Sequence, residues 1–131
     1  MKQIFVSSVH IETSPASDLV MRLRQEQFLV SHSPINDGSV NWGNWYEHDC
    51  FAELDKAEIF VSVITPSWEY STWMQHEMIE ALRRVEEGIM RRVCYYNPLN
   101  IEVRENYAEA YLKDRLPNDL NQVVQMMQSA D

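Results

Sequence analysis

Four short apolar runs punctuate the chain, at residues 3–8 (QIFVSS), 28–32 (FLVSH), 59–64 (IFVSVI) and 92–96 (RVCYY). Runs of this kind, without a polar alternation, form strands covered on both faces. The 59–64 run is β-branched and leaves no residue for a solvated face, so it belongs at the centre of a sheet. Between the runs the apolar spacing changes to three and four. Ser14 followed by Pro15 starts a helix that reaches about Gln27 and turns Leu19, Val20 and Leu23 inward. A second helix runs from about Trp45 to Lys56, with His48, Phe51, Ala52 and Leu54 on or near its inner side. A third begins at Ser71 or Thr72, where Thr72 and Gln75 have the spacing of a capping box, and ends near Gly88. Its inner stripe is Met74, Met78, Ala81, Leu82 and Val85. Beyond Pro98 the pattern predicts a small edge strand at 101–103, a short helix at 106–113, and a last helix carrying Leu120, Val123, Val124 and Met127, started by Asn118.

Strands alternating with helices imply an α/β fold with a parallel sheet covered on both faces. Ligands bind such sheets beyond the carboxyl ends of the strands. Those ends here carry Ser7, Ser8 and His10, a long loop at 33–44 (SPINDGSVNWGN) followed by Trp45 and Tyr46, and a loop at 65–73 holding Trp68, Tyr70 and Trp73. All four tryptophans, Trp42, Trp45, Trp68 and Trp73, therefore fall in two of these regions. Glu77 lies at the margin of the third helix's apolar stripe, one turn above Trp73. A glutamate in the first turns of a helix is ordinarily solvated. What singles this one out is its company.

With 131 residues and no repeat or low-complexity tract, residues 1–131 read as a single domain that can bury a core without staples. No stretch approaches the roughly 18 apolar residues that span a bilayer, and the amino terminus reads as a first strand, so a cytoplasmic protein with no membrane contact is expected. Cys50 and Cys94 have no CxxC partner and are expected as reduced, buried thiols. The net charge of −9 argues against a nucleic-acid partner. Its densest basic positions, Arg83, Arg84, Arg91 and Arg92, flank a helix end and a strand start, where solvation and helix-dipole complementation are their expected roles.

Aromatic rings gathered at one sheet edge suit a planar heterocycle, and a carboxylate beside them suits cleavage of an N-glycosidic bond, in which positive charge develops on the sugar. Other chemistries lack their residues. The chain has no GxGxxG after the first strand, no GxxxxGK[ST] and no GxSxG, and Glu80 stands where HExxH would need its second histidine. His10, His32, His48 and His76 show no metal-ligand spacing, and no metal is expected.

IFVSS (4–8), LDKAEIFVSVITPSW (54–68) and STWMQHE (71–77) resemble, in turn, the first-strand box, the third strand with its following loop, and the S-x-W-x-x-x-E signature of Toll/interleukin-1 receptor (TIR) domains, here of the stand-alone bacterial kind. The resemblance covers about residues 1–97 and leaves 98–131 divergent. It implies a flavodoxin-like three-layer sandwich with a central parallel sheet of four or five strands, in which residues 33–46 are the loop that covers the site and mediates association. Many members in bacteria and plants cleave NAD with the signature glutamate, which maps onto Glu77, with Trp73 as the signature tryptophan. Substrate contacts would come from Ser7, Ser8, His10, Trp42, Trp45, Ser71 and Trp73. NAD is then a substrate and no cofactor is needed. The chain departs from the family at Glu58, where an aspartate is usual, at Met74, where a cysteine is usual, and at Ser7 to His10, which lack the usual tyrosine-serine and acidic pair.

The resemblance thus implies an NAD glycohydrolase or ADP-ribose cyclase that self-associates through TIR–TIR contacts. It would act in antiviral defence by depleting NAD or by making a cyclic ADP-ribose signal for a separate effector. Two alternatives stay open. One is a TIR interaction module without turnover, and the other is a nucleoside N-glycosidase resembling the nucleoside 2-deoxyribosyltransferases.

Overall fold

The computed structural model describes residues 2–9, 14–33 and 50–129. Strands β1 (Gln3–Ser7), β2 (Leu29–Ser33), β3 (Ile59–Val63) and β4 (Arg92–Tyr96) form one parallel sheet in the order β2-β1-β3-β4. Helices α1 (Ser14–Gln25), α2 (Cys50–Lys56), α3 (Thr72–Glu86), α4 (Glu105–Tyr111) and α5 (Leu120–Ser129) accompany it, with a 3-10 turn at Trp68–Tyr70. All five residues of β3 are buried, as its unbroken apolar run requires.

Period-two alternation splits the core into two layers. Ile4, Val6, Val61 and Val63 face Leu19 and Leu23 of α1 and Val123 and Met127 of α5. Phe5 and Phe60 face the other way, toward Leu54 of α2 and Met74 and Met78 of α3. These two rings are direct cross-strand partners and stack with centroids 5.6 Å apart. The chain leaves β1 toward β2 on one side, while β3 and β4 build outward on the other. Because parallel crossovers are right-handed, the reversal puts α1 on one face and α3 on the opposite one. The gap at the carboxyl ends of β1 and β3 is therefore the topological switch point.

Helix α3 ends where Gly88 adopts φ 78°, with Gly88 N–H bonded to Val85 O and Ile89 N–H to Arg84 O. Several expectations from the sequence shift. No strand forms at 101–103, because Asn97 pairs its side-chain amide with Ile101 O (3.0 Å) and its Oδ1 with Ile101 N–H (2.9 Å), withdrawing that backbone from a sheet. The outer edge of β4 is met instead by a single parallel bridge from Arg115 to Tyr95. The last helix is capped by Asp119, whose carboxylate accepts from Asn121 N–H at 2.7 Å, and not by Asn118. Ala52 is exposed. His48 lies outside the described residues, as does the Cys50 side chain, whereas Cys94 is a buried free thiol with its pKa pushed up to about 12 by desolvation. The four clustered arginines are each paired with a carboxylate, Arg83 with Glu80 and Glu87, Arg84 with Asp55, Arg91 with Glu58 and Arg92 with Asp114. Arg84 is buried, so it ties α3 to α2 where solvation was expected.

Candidate functional site

Ser71 opens α3. Its extended backbone and hydroxyl make it the N-cap, with Oγ accepting from Met74 N–H at 3.2 Å. The capping box expected at Thr72 does not form, since Gln75 donates to Glu69 O at 2.8 Å and so binds the preceding turn to the helix. A serine cap of this kind contributes about 1 kcal/mol. Ser71→Ala is expected to lower the stability measured by urea unfolding by that amount, and an unchanged midpoint would show the cap to be dispensable.

From that start, Met74, Glu77, Met78 and Ala81 follow at steps of three, one and three, which is the buried face of α3. Glu77 is 0% exposed, so it lies within the apolar stripe and not at its margin. Ser7, at the carboxyl end of β1, donates its hydroxyl to Glu77 Oε1 at 3.0 Å, and Ser7 Oγ also lies 3.2 Å from Met74 Sδ. Ser7 is also paired in register with Ser62 of β3. Glu77 thus sits at the switch point. A carboxylate taken out of water costs several kcal/mol unless its oxygens are hydrogen-bonded, so a glutamate at a core position of an otherwise apolar stripe marks a candidate functional group.

The remaining expected residues divide. Ser8 is one residue beyond Ser7 and faces the opposite layer, where its Oγ lies 2.8 Å from His32 Nε2. It does not join Glu77. Ser71 begins the same helix six residues earlier and, with Oγ serving as a cap acceptor, keeps its proton for donation. Trp73 lies in the first turn of α3, but its side chain is outside the described residues, as are His10, Trp42 and Trp45. Trp68 is fully buried, donates Nε1–H to Ser62 Oγ at 2.8 Å and meets Tyr111 edge-on, so it packs beneath the site and offers no open face to a ring.

His32 is the residue whose part near this edge the sequence left unassigned. Val30 and His32 alternate onto the α1 face of β2, and that period-two signal placed the imidazole against the core. Burial, reinforced by the positive charge of Arg24, lowers its pKa to about 4, so the ring is neutral at working pH. Among the described residues no group of three or more His, Cys, Asp or Glu side chains could hold a metal ion, and no helix is long and apolar enough to cross a membrane.

No protein-family model matches the chain, and no curated protein matches it in sequence. Solved structures do match its backbone. The TIR domains of the activated Roq1 resistosome, directly recognising the pathogen effector XopQ, superpose with a TM-score of 0.62 at 13% identity, over 99% of this chain and 72% of that one. The TIR domain of the Toll-related receptor TRR-2 from Hydra magnipapillata gives 0.61 at 11% identity, over 85% and 82%. The TIR domain heterodimer of RPS4 and RRS1 gives 0.54 at 14% identity, over 96% and 93%. The chain has the TIR-domain fold. The α/β architecture with a central parallel sheet, expected from the alternation of elements, is the one observed, with four strands among the described residues. At these identities the likeness concerns fold alone.

Proposed function

We propose that this TIR-fold protein cleaves the N-glycosidic bond of NAD, releasing nicotinamide, with Glu77 as the catalytic carboxylate. The observation that carries the reading is a buried glutamate, hydrogen-bonded by Ser7, at the switch point of a parallel sheet. In NAD the nicotinamide nitrogen is already a pyridinium. When its bond to the ribose C1′ breaks, the electron pair leaves with the ring as neutral nicotinamide, and no acid has to protonate the leaving group. Positive charge remains on the ribose. One fixed carboxylate in a low-dielectric site stabilises it, and Ser7 holds that carboxylate in orientation. Water attacking C1′ gives ADP-ribose and a proton, whereas attack by a nitrogen of the adenine gives a cyclic ADP-ribose.

Because Glu77 is fully buried, substrate reaches it only after the neighbouring chain rearranges. Self-association is a natural source of that rearrangement, and the RPS4 and RRS1 TIR domains form a heterodimer. A cytoplasmic role in antiviral defence, through NAD loss or a nucleotide signal read by a separate effector, follows by the family resemblance. The complete burial of Glu77 equally favours a second reading, a TIR interaction module in which this carboxylate never meets a substrate.

Incubation of the purified protein with NAD and with nucleosides, at rising protein concentration, separates these. Nicotinamide release that climbs faster than protein concentration supports an assembly-dependent NAD-cleaving enzyme. Free base from nucleosides alone would replace it with an N-glycosidase. No turnover at any concentration leaves the interaction module.

A further inference from the structure

Among the described residues, six of the eight arginines lie within salt-bridge distance of a carboxylate. Arg24 and Arg115 do not, and Arg24 gives its Nη2 to Val30 O at 3.0 Å. Arg115 Nη2 donates to Asn97 O (3.0 Å), Asn100 Oδ1 (2.7 Å) and Asn118 Oδ1 (3.3 Å), all neutral oxygens. Its Nε and Nη1 meet no acceptor among the described residues. In a protein with 20 acidic and 11 basic side chains, Arg115 meets no carboxylate among the described residues and keeps N–H donors in reserve. The nearby acids are engaged elsewhere in the fold. Asp114, its chain neighbour, grips Arg92 through both oxygens at 2.6 and 2.8 Å, and Asp119 turns its carboxylate to the first amides of α5.

Arg115 also lines an open cleft of about 570 Å³ beside α5, shared with Asn100, Asn118 and Gln122, with Pro117 and Met126 as its apolar side. Asn100 takes a left-handed conformation (φ 53°), which asparagine tolerates, and this turn delivers its carboxamide to Arg115. The result is a pre-positioned cation with unused donors, flanked by carboxamides and an apolar wall, in a volume within the range of small-molecule sites. A planar guanidinium with free N–H groups is matched to phosphate oxygens.

We infer that this cleft binds a phosphorylated small molecule of mononucleotide size, its phosphate on Arg115 and its heterocycle against the carboxamides and the apolar side formed by Pro117 and Met126. The site is separate from Glu77 and independent of what Glu77 does. Nuclear magnetic resonance titration of the full chain with inorganic phosphate and with AMP tests it, read on the side-chain amides of Asn100, Asn118 and Gln122. Saturable shifts are expected for both ligands, tighter for AMP and weakened by added salt. Gln122→Glu places a carboxylate in the cleft at a first-turn position where glutamate suits the helix, so the fold should persist while affinity drops at least about tenfold. Arg115→Gln should abolish binding. Absence of saturable shifts, or shifts that survive Gln122→Glu, would overturn the assignment, and equal affinity for phosphate and AMP would remove the heterocycle from it.

Discussion

Glu77→Gln is expected to reduce nicotinamide release from NAD by roughly 10²- to 10³-fold, the range seen when one preorganised electrostatic group is removed from an active site. The substitution keeps the side-chain volume and leaves an oxygen to accept from Ser7, whose hydroxyl lies 3.0 Å from Glu77 Oε1. It removes the negative charge and exchanges one acceptor oxygen for an NH2 donor. The loss should therefore appear in kcat with little change in KM, because a carboxylate that meets developing positive charge acts on the transition state more than on bound substrate. Ser7→Ala, which leaves the charge but frees its orientation, should give a smaller loss in the same parameter. Steady-state kinetics on both variants, with circular dichroism to verify folding, checks the pair. Full activity in Glu77→Gln would end the proposed mechanism, whatever the fold.

The central strands are legible in the sequence because β1 and β3 are compact apolar runs, and β3, with all five residues buried, has no competing reading, whereas the edge strand β2 (LVSHS) carries polar residues and its Leu29 is exposed. Helix α3 is legible for a similar reason, and so is the depth of Glu77 once positions 74, 77, 78 and 81 are taken as one ladder. Placing Glu77 at the margin underweights that spacing. Other features depend on partners distant in sequence. Trp68 stands in a loop with three aromatic residues, yet its indole N–H is claimed by Ser62 on β3, so the ring packs inward. Residues 101–103 have the composition of an edge strand, but the Asn97 side chain takes both backbone groups of Ile101. Arg84 looks like a solvated helix-end arginine until Asp55 of α2 is brought to 2.8 Å and Phe51 beneath its guanidinium. In each case local pattern gives the element, while a side chain brought in by the fold decides its role.

The chain is also expected to lose stability on mild acidification through His32. The free imidazole takes a proton near pH 6.5, whereas in the folded protein burial and Arg24 hold the pKa at about 4. Between these values the unfolded chain binds a proton that the folded one refuses, so unfolding takes up a proton and stability falls as pH falls. Each pH unit across the window removes about 1.4 kcal/mol, which sums to about 3 kcal/mol once pH is below the folded value. That is a large fraction of the 5–15 kcal/mol typical of a domain. His32→Gln retains a polar group to meet Ser8 and does not titrate, so its stability should be nearly flat over the same range except for carboxylates common to both proteins. Urea unfolding at pH 7 and near pH 4.5 measures the difference directly, and parallel slopes in the two proteins would show that the imidazole is not shielded. The consequence reaches the site. Ser8 is held by His32 on one face of β1 while its neighbour Ser7 holds Glu77 on the other, so protonating the ring would disturb the same strand end that aims the carboxylate. Acid inactivation that follows His32, and is relieved in His32→Gln, would connect the two faces of the sheet through a single peptide step.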